Sequence, residues 1–190
     1  TRSLPLMGHI QKLVQHFSLP EPPDHYALQI STTKAYITDS DLKSVNFKVP
    51  VGAKVQLTKS PRQQALETIK QLKDPKAKKK AAYFLSKQLA DLQFLQHFLS
   101  ENGVSAIIDA TMEESAGSTL SYSLGAISIA LEYGVGWEAI STKFLTKLCS
   151  FCDPKQAINV CTNALVILKT LLSKPTQMSF DCLQNAMYLY

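Results

Sequence analysis

The 190-residue chain has no run of about 18 apolar residues free of charge, the length a bilayer-spanning helix requires, so no segment reads as a membrane span. The opening TRSLPLMGH lacks the continuous hydrophobic block of a secretory leader, and a cytoplasmic setting is the expectation. Neither GxSxG, HExxH, a Walker A loop nor GxGxxG occurs, and no nucleophile, base and anion-stabilising group converge in the pattern. The expectation is therefore a non-enzyme without a cofactor. Histidine is scarce, with only His9, His16, His25 and His97. None stands at ligand spacing from the Cys149-x-x-Cys152 pair, which argues against a zinc site. Aromatics are not interleaved with arginine on a platform, so single-stranded nucleic acid is not an expected partner.

What is present describes an ordinary globular chain, 45% hydrophobic and 18% charged, with a net charge of +5. Basic and acidic residues interleave, which permits an acidic partner without demanding nucleic acid. Cys149, Cys152, Cys161 and Cys182 all fall in apolar helical stretches, where reduced thiols act as small hydrophobes. The chain starts at Thr1, and a piece of a longer protein, with further repeats after Tyr190, is the expectation.

The first 60 residues mix helix and strand. Leu6, Ile10, Leu13, Val14 and Phe17 share one helical face, with Pro5 as an early helical residue and Pro20 beyond the end. His25 to Ile30 alternates in the period of a half-buried strand, and Ala35 to Thr38 reads as its hairpin partner. Asp39-Ser40-Asp41 is expected to cap a helical turn carrying Leu42 and Val45, and Lys54 to Thr58 forms another strand. Helix, strand, strand, turn, strand is the second part of a β-grasp (ubiquitin-like) roll whose first hairpin is missing.

From Ser60-Pro61 the pattern is helical. Ala65, Leu66, Ile69 and Leu72 form one stripe; Ala77, Ala81, Phe84, Leu85 and Leu89 another, behind an expected cap and first turn at Asp74-Pro75. Phe84, Phe94 and Phe98 stand at core spacing. Asp91 restarts a helix that Asn102-Gly103 closes. Leu120 to Leu148 reads as two apolar-striped helices joined at Gly134 and Gly136, with Trp137 opening the second, and Asp153-Pro154 is expected to start a spine helix running to Leu172. Bends near Gly103, Gly134 and Lys174-Pro175 recur at about 31 and 41 residues, periods of armadillo type. The expected class is α+β: residues 1–60 a partial β-grasp module, residues 61–190 an all-α armadillo-like solenoid.

Three sets of residues invite functional readings. Lys76 with Lys78, Lys79 and Lys80 places cations at a helix start, where the dipole disfavours them; a solvated face is the plain reading, contact with an acidic partner or anionic headgroups the other. Glu113-Glu114 reads as an exposed helix end, since adjacent side chains diverge by about 100°. Trp137, the single Trp, reads as a packing anchor between repeats, with a partner contact as the alternative.

The order of these features resembles the N-terminal region of the ELMO (engulfment and cell motility) proteins. The residues that carry it are Tyr26-Ala27-Leu28-Gln29, Tyr36-Ile37-Thr38, Val55-Gln56-Leu57-Thr58 through Ser60-Pro61, and above all LSYSLGAISIALEYGVGWEAIS from Leu120. The resemblance implies a non-catalytic adaptor. Its ubiquitin-like module would act as a Ras-binding-type domain for active Rho or Arf-like small GTPases such as RhoG, and its armadillo part would receive receptor tails. DOCK exchange factors, which activate Rac, would bind through parts of the protein outside this chain, and the plasma membrane would be reached by recruitment. Because effector-binding surfaces of such GTPases are acidic, Arg2, Lys12 and His16, off the first helix's apolar stripe, become the candidate contacts. A formin-type regulatory module, which also joins GTPase recognition to armadillo repeats, is the alternative.

Overall fold

The computed structural model describes residues 5–44, 46–134 and 136–173, and the chain divides into two compact units, one ending at Gln64 and one beginning at Ala65.

In the first unit, α1 (Leu6–His16) follows Pro5, which is its N-cap rather than its first helical residue. The helix lacks a local capping side chain; instead Asp39, 33 residues away, accepts the Leu6 N–H at 2.8 Å, supplying one of the acceptors that a helix start leaves wanting. The strands β1 (Tyr26–Ile30) and β2 (Val55–Lys59) pair antiparallel, with Leu28 opposite Leu57 and Ile30 opposite Val55. The strand expected at Ala35–Thr38 is shortened to one bridge, Gln29 with Tyr36. The reason is Thr38: it caps α2 (Asp39–Lys43), exchanging hydrogen bonds with Asp41 in a capping box, and so leaves the ladder. The cap is thus one residue earlier than the sequence suggested, and Val45 lies outside the described residues. Ile10 and Val14 of α1 pack with Leu28, Ile30 and Ile37 in a small core. The outer side of β2 has no strand partner among the described residues.

The second unit is helical. It comprises the greater part of α3 (Pro61–Leu72), then α4 (Lys78–Gln88), α5 (Leu92–Ser100), α6 (Gly103–Met112), α7 (Ser118–Glu132), α8 (Thr142–Ser150) and α9 (Ile158–Ser173). Its centre is α7, which packs against α4, α6 and α9. Leu120, Leu124, Ile127 and Leu131 supply bulk there, while Ser123, Ala126, Ser128 and Ala130 are small enough for neighbours to approach closely, and all eight are buried. A helix apolar on nearly every side belongs inside a stack of others. This is the armadillo-like architecture in the described helices.

Three starts differ from expectation. Asp74 and Asp153 each open an Asp-Pro-Lys sequence, and each uses its carboxylate to accept the N–H two residues on, from Lys76 at 3.0 Å and Lys155 at 2.8 Å. These are turns closed by the side chain; α4 and α9 begin only at Lys78 and Ile158. Trp137 opens a single 3-10 turn, Trp137–Ala139, and the regular helix starts at Thr142 behind the Ser141 cap. The spine reading of α9 holds for Val160, Ala164, Ile167 and Leu171, whereas Ile158, Leu165 and Leu172 face outward. Asp91 caps α5 as expected, accepting from Gln93 and Phe94. The third bend, at Lys174-Pro175, and Cys182 lie outside the described residues.

Candidate partner-binding surfaces

On α1 the spacing of Lys12 and His16, four residues apart, places them on one face, both exposed. No acidic residue occurs on α1, and His16 meets Phe17 edge-to-face with ring centroids at 4.9 Å. Arg2 lies outside the described residues.

The lysine cluster divides. Lys76 lies in the Asp74 turn, and Lys79 and Lys80 are exposed on α4. Lys78 is not part of a solvated face: it is 6% exposed and its ammonium donates to Glu113 and, at 3.4 Å, to Glu114. Adjacent glutamates diverge on a regular helix, but Glu113 is the C-cap of α6, and chain curvature there lets both carboxylates reach one cation. The Glu113 hydrogen bond raises the Lys78 pKa above the ordinary 10.5 against the opposing effect of burial. The cluster that looked cationic throughout therefore contains one internal ion pair, which ties α4 to the end of α6.

Trp137 packs, half-buried, against the main core, the position expected of an anchor between helices. The turn that presents it depends on Gly136, whose φ of +80 is the left-handed region and whose added Cβ would stand 2.7 Å from both methyls of Val104. A hollow of about 220 Å³ opens beside it, lined by Leu99, Val104, Ser105 and Glu138 among others.

The structure adds residues that sequence reasoning placed elsewhere. Phe94 and Phe98 are buried and stacked, 5.8 Å apart; Phe84, grouped with them by spacing, is 46% exposed. Its neighbour Tyr83 is also exposed and contacts Tyr122 of α7 edge-to-face at 5.2 Å. The signal available in the sequence was adjacency: Tyr83 and Phe84 cannot both enter a core that Ala81, Ala82, Leu85 and Leu89 already define.

Of the described cysteines, Cys149 and Cys152 pack against the main core. Cys161 donates its thiol to the carbonyls of Phe151 at 3.3 Å and Asp153 at 3.2 Å. Burial raises the Cys149 and Cys152 pKa values, which keeps both as thiols. Among the described residues no group of His, Cys, Asp or Glu could hold a metal ion, and no helix is long and apolar enough to cross a membrane.

A family model described as the ELMO armadillo-like helical domain matches residues 93–189, more than half of the chain. The chain belongs to the ELMO family. The match starts in α5 and takes in α6 to α9, so α7, the α6 and α9 helices packed on it and the Trp137 turn are elements of an ELMO armadillo domain. No curated protein matches the chain.

Proposed function

We propose that this chain is a non-catalytic adaptor of the ELMO kind, in which the N-terminal unit engages an active Rho or Arf-like small GTPase and the armadillo helices receive a receptor tail. The observation that carries the reading is the ELMO armadillo domain preceded in the chain by a separate helix-and-strand unit. The helix, the β1–β2 pair and the Tyr36 bridge are compatible with a β-grasp module lacking its first hairpin, which would pair with the outer side of β2. On α1, Lys12 and His16, with Arg2 beyond the described residues, are the proposed contacts to the acidic effector surface. DOCK binding and the Rac activation that follows belong to other parts of the whole protein, and membrane recruitment comes through these partners. ELMO membership favours this reading over the formin-type module.

Pull-down of the 190-residue chain with GTP-loaded and GDP-loaded Rho and Arf-like GTPases tests it. Preference for the GTP form is expected, reduced about tenfold by Arg2→Glu with Lys12→Glu. Equal binding in both nucleotide states, or indifference to the double substitution, counts against the assignment to α1.

A further inference from the structure

The outward face of α4 combines rings and positive charge in a way that its role in the stack does not use. The helix buries Lys78, Ala81, Ala82, Leu85 and Leu89 and turns Lys79, Lys80, Tyr83, Phe84 and Lys87 to solvent. Tyr83 touches Phe84 edge-to-face at 5.3 Å and Tyr122 at 5.2 Å, so three rings form one step across α4 and α7. Lys87 lies over the Tyr83 ring, 4.5 Å from its centroid, and donates to its hydroxyl at 2.8 Å. That ring is held in place before anything binds, which lowers the ordering cost of a contact made on it.

Around the rings the charge on these helices is mostly positive, and the nearby carboxylates, Glu113 and Glu114 at Lys78 and Asp91 past the end of α4, stand at the two ends of the helix. Neither α4 nor α9 contains an acidic residue, and α7 has only Glu132 at its last position. Glu132 is ten positions beyond Tyr122, about 15 Å along the helix. Lys78 is neutralised internally, while Lys79 and Lys80 make no ion pair among the described residues. We propose that this face docks an acidic peptide with an apolar anchor. The rise from Lys80 to Lys87 is about 10.5 Å, and in an extended chain, which rises about 3.3 Å per residue and alternates its side chains, two positions on one face that span this with the reach of the lysine stems are four apart, about 13 Å. The fitting ligand thus has two carboxylates four positions apart with an apolar side chain midway on the same face, set against Tyr83 and Phe84. A peptide fits better than a bilayer, because the rings hold one another edge-to-face in a shallow step rather than projecting singly as an insertion wedge.

The inference rests on the adaptor reading only in treating the armadillo helices as a partner scaffold, and it specifies the chemistry of the tail they take. The test is fluorescence anisotropy with the 190-residue chain and a fluorescein-labelled peptide built on a Glu-Ser-Leu-Ser-Glu core. Its Gln-Ser-Leu-Ser-Gln counterpart and vesicles of phosphatidylcholine with phosphatidylserine serve as the other arms. Expected are binding of the acidic peptide that weakens with salt, loss of binding for the amide version, and a drop of about tenfold for either Lys80→Glu with Lys87→Glu or Phe84→Ser. The thermal melts of these variants should match that of the parent, since the replaced groups face solvent. Absence of acidic-peptide binding, equal binding of the amide peptide, or binding untouched by the substitutions overturns the proposal, as does vesicle binding without peptide binding. The same variants should leave GTPase pull-down unchanged, so failure here is distinguishable from failure of the adaptor reading.

Discussion

Lys78 shows how one side chain decides what a charged stretch is for. Its stem and ammonium are buried while Glu113 is largely in solvent, so the two ends of the pair are unequal. Removing the cation leaves carboxylates that water can take up; removing the carboxylates strands a buried cation. Lys78→Met should therefore change stability by no more than about 1 kcal/mol, and Glu113→Gln with Glu114→Gln should cost about 2 kcal/mol, both read by urea unfolding. Because the folded-state pKa of Lys78 is raised, its contribution is fully present below 10.5 and is lost as pH rises through the raised value. The unfolding midpoint of the parent should fall on the alkaline side of pH 10.5 more steeply than that of Lys78→Met.

Among the elements, α7 gives two opposite expectations for the same chemical change nearby. Gly125 sits inside α7 with open room: an added Cβ would meet only the Asn163 amide nitrogen, at 3.6 Å, an ordinary contact. Gly125→Ala should stabilise by up to about 1 kcal/mol through helix propensity. Gly136→Ala, in the left-handed turn against Val104, should destabilise by about 2 kcal/mol; paired thermal melts check both signs. The helices were legible because their apolar positions recur at three and four residues. Their starts before α4 and α9 were not, because Asp-Pro serves equally as a cap or as a closed turn, and only the backbone around Asp74 and Asp153 distinguishes them. The strand at Ala35–Thr38 was misread for a related reason: Thr favours strands and also caps helices, and here Asp41 three residues on decides for the cap.

At the scale of the molecule, composition and periodicity were sufficient for the class, a small mixed unit followed by helices, and the Gly-rich bend with Trp137 was legible as a joint between helices. The candidate surfaces were legible only in part. Lys79, Lys80 and Lys12 lie in solvent as a charge pattern suggests, but Lys78 paired with residues 35 and 36 positions away, a distance no local pattern carries. The ring step of Tyr83, Phe84 and Tyr122 joins two helices 39 positions apart in the chain, and so was equally invisible. Outward-facing Ile158, Leu165 and Leu172 share the same lesson: apolar spacing identifies a helix but not how many of its sides are covered.

The burial of α7 on nearly every side also sets a clock. The amide hydrogens in its middle are shielded from solvent, because α4, α6 and α9 cover it. In hydrogen–deuterium exchange the amides from Leu124 to Leu131 should be the slowest of the helical unit and should exchange only when the unit opens as a whole. Those of the Trp137–Ala139 turn should exchange earlier. The label on α7 then reads the global opening free energy directly, and a stabilising Gly125→Ala should slow it by the same factor by which it shifts the unfolding equilibrium.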